Sequence, residues 1–407
     1  MLKQSAFFDF LNRRPDTGFA QFVQQHVEDE HYIDWNGFVL PHDYGDGDAE
    51  REYSAIRESC ALCDVSPMRK IRVSGLDAGR FFDHLLTRPV SNLPVMRGTY
   101  VIFCNDDGSL KDDAILYKYA DNDYLLMPSD VDHSPYFDSV RKRFDLGNVS
   151  FTECTNDWVG LAIQGPRSAG ALHAMGFAGI EQLAPFFVLD FKLDAGIVKI
   201  SRMGFTADLG YEMWFALGLA DSVLKKVRAA RAEMGIELPG YGLDALQVCR
   251  IEGGFIVAGW DCATEIDPQP GFERSPFELG LGWLVNLDAS EFVGRYALQE
   301  EKNNGSRFTL RSVAIDQKCS PVDGCSIFDA ADPEGDPIGI VTCSSWSWGM
   351  QQLIGNASIK TERTGTKNAS LVVDGERIPV LLSQGPLVDF PRRNQVPRAT
   401  RNLDTRH

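Results

Sequence analysis

One arrangement of periodicities occurs twice in the chain, and it constrains the fold more than any other feature. A strand at 70–73 runs through Ser74-Gly75 into a helix over 77–86, with Phe81, Phe82, Leu85 and Leu86 as its apolar stripe. Strands at 99–104 and 113–119 follow, joined by the hairpin signal Asn105-Asp106-Asp107-Gly108, then a strand at 124–127 and a helix over 133–144. The order repeats with a strand at 158–163, a helix opened by Gly165-Pro166, and strands at 188–193, 196–201 and 211–215. Asp221 is placed to cap a helix that runs to about residue 234, and another helix covers 243–251. Two related α+β lobes are therefore predicted, and a parallel doubly wound sheet is not.

Beyond the charged stretch 300–307 the grammar changes. Short strands at 310–315, 326–328, 339–343, 352–359, 369–373 and 378–382 are separated by Gly, Pro, Asp and Asn, which indicates a small barrel or sandwich. The resulting divisions are an N-terminal arm over 1–45, a bilobal domain over 46–305, a β-domain over 306–390 and a basic tail over 391–407. In the arm, Phe7, Phe8, Phe10 and Leu11 suit one side of a short helix. The tail carries Arg392, Arg393, Arg398, Arg401 and Arg406. It reads either as a frayed, solvated end or as a clamp on an acidic body.

The body is acidic, with a formal net charge of −17, so nucleic acid is not an expected partner. The nine cysteines are scattered, which speaks for reduced thiols. Cys60 and Cys63 form a C-x-x-C that falls in an expected helix, and they read as structural. The seven histidines show no ligand spacing, so no metal site is expected. No apolar run suggests a leader or a membrane span, and a cytoplasmic protein is the expectation. Phosphate-binding glycine loops and the nucleophile elbow are missing.

What remains is a series of local phrases. Arg57-Glu58-Ser59 leads to Asp64-Val65-Ser66-Pro67-Met68, and Tyr100 precedes Asn105-Asp106-Asp107-Gly108 and Asp112-Asp113. Leu161-Ala162-Ile163-Gln164-Gly165-Pro166 comes next, then Ser201-Arg202-Met203-Gly204-Phe205-Thr206-Ala207-Asp208-Leu209-Gly210-Tyr211-Glu212. Arg250-Ile251-Glu252-Gly253-Gly254 and Ser275-Pro276-Phe277-Glu278-Leu279-Gly280-Leu281-Gly282-Trp283 complete the series. Together with Phe292-Val293-Gly294-Arg295, Pro321 to Gly324 and Gly339-Ile340-Val341-Thr342 further on, and in this order across roughly residues 45–360, the phrases resemble those of the aminomethyltransferase family, which includes the glycine cleavage T-protein.

The resemblance implies two ferredoxin-like lobes and a C-terminal β-barrel around a central hole that holds tetrahydrofolate. It also implies roles. Asp113 matches the aspartate that faces N5 of the pterin. A carboxylate there orients the amine, stabilises developing positive charge and accepts its proton. By pattern alone, Asp112-Asp113 would be a solvated strand end. Glu212 matches the glutamate that accepts paired N–H groups from the pterin's amino-pyrimidine edge. Tyr100 and Phe205 match aromatic positions beside the pterin. Arg250 matches the arginine on the glutamyl side, or else makes a helix ion pair. Trp283 either lines the hole or packs in a core.

Some segments depart from the T-protein pattern. Ala207-Asp208 replaces Gly-Glu, Ala258-Gly259-Trp260 replaces a Tyr-Gly segment, and Thr342 to Trp348 differs in the barrel. The opening over residues 40–53 looks more like the folate-dependent demethylase branch, which includes dimethylsulfoniopropionate demethylase. A body at −17 repels an acidic lipoyl carrier, which argues for a small S-, N- or O-methyl donor. Trp260, Trp346 and Trp348 are candidate walls for a cationic donor, or else barrel core and rim. The expected activity is methyl transfer from such a donor to N5 of tetrahydrofolate. The alternatives are aminomethyl transfer of the glycine-cleavage type, and a folate-binding accessory protein for iron–sulfur assembly.

Overall fold

The computed structural model describes residues 2–13, 19–25, 31–45 and 47–397. The chain opens with two short helices, α1 (Phe8–Leu11) and α2 (Phe19–Gln25), and a hairpin of β1 (Tyr32–Trp35) and β2 (Phe38–Pro41). Phe7 and Leu11 are buried against the later lobe, and Phe7 meets Phe215 edge-on at 6.1 Å. Next come α3 (Ala49–Glu58) and β3 (Ala61–Asp64). Here the C-x-x-C departs from expectation. Cys60 and Cys63 flank and enter a fully buried strand, because Ala-Leu-Cys runs into the sheet instead of continuing α3. Burial pushes the Cys60 thiol up to about 12, which leaves it unreactive at neutral pH.

The first lobe runs β4 (Ile71–Ser74), α4 (Ala78–Leu85), β5 (Arg97–Cys104), β6 (Leu110–Ala120), β7 (Asp123–Met127), α5 (Ser134–Arg143) and β8 (Ser150–Glu153). Its sheet has the order β5-β6-β7-β4-β8 and is antiparallel throughout. Alternation along β6 sends Ala114 and Leu116 to Phe81, Phe82 and Leu85 of α4 and to Phe137 and Val140 of α5. The second lobe runs β9 (Trp158–Gln164), α6 (Ser168–Ala174), β10 (Val188–Leu193), β11 (Gly196–Ser201), β12 (Gly210–Ala216) and α7 (Ala220–Met234). The residue before α7 is Leu219. Asp221 therefore lies in the first turn, where it meets the positive end of the helix dipole instead of capping it.

The second sheet has the order β10-β11-β12-β9-β3, so β3, which precedes the first lobe in sequence, forms an edge of the second. Helices cover the outer face of each sheet. The inner faces meet through Tyr117, Leu125 and Met127 on one side and Ala162, Val188 and Trp214 on the other.

After α8 (Leu243–Glu252) an irregular segment leads to α9 (Arg295–Asn304). Then come β13 (Phe308–Ile315), β14 (Ser326–Asp329), β15 (Gly339–Ser347), β16 (Gln352–Lys360), β17 (Asn368–Val373) and β18 (Glu376–Ser383). These close into a barrel in the order β13-β16-β15-β14-β17-β18, around Val313, Val341, Ala357, Ile359 and Leu371. Closure leaves no free strand edge. The α+β lobes and the C-terminal barrel match the expectation from the sequence.

The barrel is tied to the body through α8. The Glu252 carboxylate accepts hydrogen bonds from Tyr53 (2.7 Å), Ser347 (2.6 Å) and Arg57 Nη2 (2.6 Å). The chain then returns from β18 across the lobes. Leu387 N and Val388 N donate to Glu252 O. Arg392 grips both oxygens of Asp208 at 2.6 Å each. Within the described residues the basic tail is thus a clamp; Arg398, Arg401 and Arg406 lie outside them.

Candidate functional site

The two adjacent aspartates at the start of β6 point to opposite faces. Asp112 is buried and committed. Its Oδ2 accepts from Ser129 N (3.1 Å) and Ser129 Oγ (2.6 Å) and faces His133 Nε2 at 2.7 Å. Asp113 lies on the inner face, partly open, and accepts one bond from the Tyr100 hydroxyl at 2.9 Å. Burial and the charge of Asp112 push the Asp113 carboxyl up to about 7, against the pull of Tyr100. This is a carboxylate able to exchange a proton near neutrality.

Tyr100 continues the surface to Trp283, an exposed indole 6.5 Å away. The Arg88 guanidinium stands over Trp283 at 5.6 Å and donates to Thr99 Oγ1 and Tyr100 O. Along β6, Ile115 and Tyr117 share the face of Asp113, and Tyr117 donates to or accepts from Ser201 Oγ at 2.9 Å. Opposite Tyr117 lies Glu212 on β12, 7% exposed, its carboxyl pushed up to about 7 by burial despite nearby Trp214, Tyr117 and Lys70.

Phe205 sits on the loop before β12, exposed on one side and stacked on Phe255 at 5.4 Å. Gln164, fully buried at the end of β9, holds this loop. Its amide donates to Met203 O (3.2 Å) and Tyr211 O (3.3 Å) and accepts from Thr206 Oγ1 (3.0 Å). A Cβ on Gly204 or Gly210 would collide with that amide. The sequence reading missed this support, although Gln164 stood in one of the quoted phrases. It also missed the pairing of Asp208 with Arg57 and Arg392.

Arg250 is fully buried. It bonds Asp261 at 2.6 Å, Phe255 O at 3.0 Å and Gln247 at 2.9 Å, and lies under the half-exposed Trp260 at 5.7 Å. Its ion partner, Asp261, lies in the irregular segment after α8 and not on the helix. Asp261 also accepts from Thr342 and Asn356 of the barrel, so Arg250 sits at the junction of body and barrel.

The three tryptophans proposed for the donor do not form one wall. Trp346 and Trp348 lie two apart on and just beyond β15 and line a cleft of about 460 Å³ with Asp43, Asp244 and Gln247. Trp348 packs on Tyr53 at 5.5 Å. Tyr100, Asp113, Glu212 and Trp260 do not line that cleft. Among the described residues no group of three or more His, Cys, Asp or Glu could hold a metal ion. No described helix is long and apolar enough to cross a membrane.

The sequence pattern of the family described as GCVT N-terminal domain matches residues 23–289. An aminomethyltransferase of Bacillus subtilis (strain 168) is 30% identical over 348 residues, 84% of this chain and 90% of its own. One from Halothermothrix orenii is 29% identical over 347 residues, 85% of this chain and 92% of its own. The solved structure of glycine cleavage system aminomethyltransferase T from Bartonella henselae superposes with a TM-score of 0.76. It covers 96% of this chain and 99% of that one at 22% identity, and so shows the same fold.

Proposed function

The chain belongs to the GCVT N-terminal domain family, and from that premise we propose that it is an aminomethyltransferase that delivers its one-carbon unit to tetrahydrofolate with Asp113 as the proton-handling group. It is a folate-dependent one-carbon transferase, and its relatives carry the aminomethyltransferase name. Those relatives favour an aminomethyl donor over the methyl donor expected from the opening segment.

The observation that carries the reading is the Tyr100–Asp113 pair. When bound, tetrahydrofolate supplies N5 as the nucleophile. A carboxylate pushed up to about 7 is part ionised at neutral pH. In that form it attracts the developing ammonium and takes its proton; protonated, it returns that proton in the reverse direction. Tyr100 fixes the carboxylate rotamer through its 2.9 Å bond. Glu212 offers two acceptor oxygens for paired N–H groups, and Phe205 and Trp283 offer exposed aromatic faces for a flat heterocycle. Arg250 is placed to contribute through the junction it organises with Asp261.

One observation favours a second reading, a small cationic methyl donor. The cleft lined by Trp346, Trp348, Asp43 and Asp244 combines indole faces with carboxylates. The net charge of −17 argues in the same direction, against an acidic lipoyl carrier. The deciding experiment supplies tetrahydrofolate with either an aminomethyl-lipoyl carrier or a panel of small methylated sulfonium and amine donors. Mass spectrometry then follows the folate product. Methylene-tetrahydrofolate from the carrier supports the aminomethyl reading. Methyl-tetrahydrofolate from a small donor, with none from the carrier, replaces it.

A further inference from the structure

Shortly after α4, Thr87 and Arg88 reach both the edge strand β5 and the irregular segment that carries Trp283. Thr87 ties the pieces together: its hydroxyl donates to Leu284 O at 2.9 Å, and its carbonyl accepts from Asn286 N at 2.8 Å. Arg88, half-buried, is thereby held with its guanidinium 5.6 Å over the exposed Trp283 ring. Its Nη2 donates to Thr99 Oγ1 at 2.6 Å and to Tyr100 O at 2.9 Å. Nε and Nη1 make no hydrogen bond to the described residues, and Arg88 forms no ion pair among them, in a chain with 57 acidic side chains. Arg97, two positions before Thr99 on the same face of β5, also has no ion pair there and rests on Phe187 at 5.2 Å.

We propose that Arg88 binds the glutamate carboxylate of tetrahydrofolate, with Trp283 beside the aryl ring that joins the glutamate to the pterin. The proposal rests on the reading that places the pterin between Asp113 and Glu212. An arginine that only tied its loop to β5 would need Nη2 alone. This one keeps the rest of a planar, always charged fork free beside an indole, an arrangement suited to a carboxylate carried next to an aromatic ring.

Tyr100 sets the order of the groups. Its hydroxyl donates to Asp113, its ring lies 6.5 Å from Trp283, and its carbonyl accepts from Arg88. A path from Asp113 along Tyr100 and Trp283 therefore ends at a cation, in the same sequence as pterin, aryl ring and carboxylate in folate. Arg250, which the resemblance puts on the glutamyl side, is fully buried and neutralised by Asp261 at 2.6 Å. Burial and the charge of Arg97 both work against the charge on Arg88, a cost that a bound carboxylate offsets.

The test compares tetrahydrofolate with tetrahydropteroate, which lacks the glutamate, for binding to the full chain as the parent, Arg88→Gln and Glu212→Gln. The parent is expected to prefer tetrahydrofolate by about tenfold. That preference should shrink as salt is raised, because the contact is charged and partly exposed. Arg88→Gln should lose the preference and keep parental affinity for tetrahydropteroate, which also shows that the variant is folded. Equal affinities in the parent, a preference indifferent to salt, a preference that survives in Arg88→Gln, or an equal loss of both ligands there overturns the role of Arg88 and leaves the pterin site standing. Glu212→Gln should weaken both ligands alike and retain the preference between them. Parental affinity of Glu212→Gln for both overturns the placement of the pterin, and the role of Arg88 with it.

Discussion

On β6 two neighbouring carboxylates differ in what they are free to do. Asp112 is committed to Ser129, His133 and Asp113 N, while Asp113 accepts from the Tyr100 hydroxyl and lies half-buried on the inner face. Asp113→Asn should therefore preserve folate binding and lower transfer by about 100-fold or more, seen as near-parental affinity beside slow single-turnover formation of product. Tyr100→Phe removes the bond that lowers the Asp113 carboxyl. The base form then appears only at higher pH, so the acid limb of the pH–rate profile should move upward. A limb that stays put would separate Tyr100 from the proton transfer. Asp113 was proposed from the sequence only through its match to the family phrase, since by pattern alone Asp112-Asp113 reads as a solvated strand end. Arg250 was harder to read: its partner Asp261 lies eleven positions on, in an irregular segment without periodicity.

The loop over 203–210 is an element without regular structure, held from three directions. Gln164 fixes its backbone from β9, Arg57 from α3 donates to Thr206 O at 2.7 Å, and Arg392 from the returning tail grips Asp208. Arg392→Ala leaves a buried Asp208 with Leu209 N at 2.7 Å and, as its remaining cation among the described residues, Arg57 at 3.5 Å. The side chain of Arg392 is itself partly exposed, which limits the loss to about 1–3 kcal/mol. Urea unfolding should register that loss, and folate affinity should fall with it as the Phe205 loop loosens. Gly204→Ala should do the same without touching a charge, by driving a methyl group into the Gln164 amide. Strands and helices were legible because their periodicities are local. The C-x-x-C strand was misjudged because a four-residue buried strand has no alternation to display. The tail stayed ambiguous because Arg392 and Asp208 are 184 positions apart.

At the scale of the molecule, two crossings bind the parts together. β3 leaves the N-terminal region to form an edge of the second sheet, and Glu252 joins α3, α8 and the barrel in one buried cluster. Glu252→Gln leaves the buried Arg57 guanidinium without its closest carboxylate, and a loss of about 3–5 kcal/mol is expected. Intrinsic tryptophan emission during urea denaturation would test it. A midpoint equal to the parent's would show that the barrel is held by its apolar contacts instead. The architecture of lobes and barrel followed from the repeated strand and helix signals. The crossings did not, since nothing in local composition marks which distant segment a buried carboxylate will meet.

The returning tail also sets an order of events during synthesis. Asp208 emerges from the ribosome long before Arg392, and at about 5 to 20 residues per second the intervening 184 positions take roughly 10 to 40 s to translate. Throughout that interval the nascent lobes carry an acidic group in their interior with its principal counter-charge still unmade. Messages truncated before codon 392 should consequently yield chains that stay longer with chaperones and are cleared faster by proteases than the full-length chain.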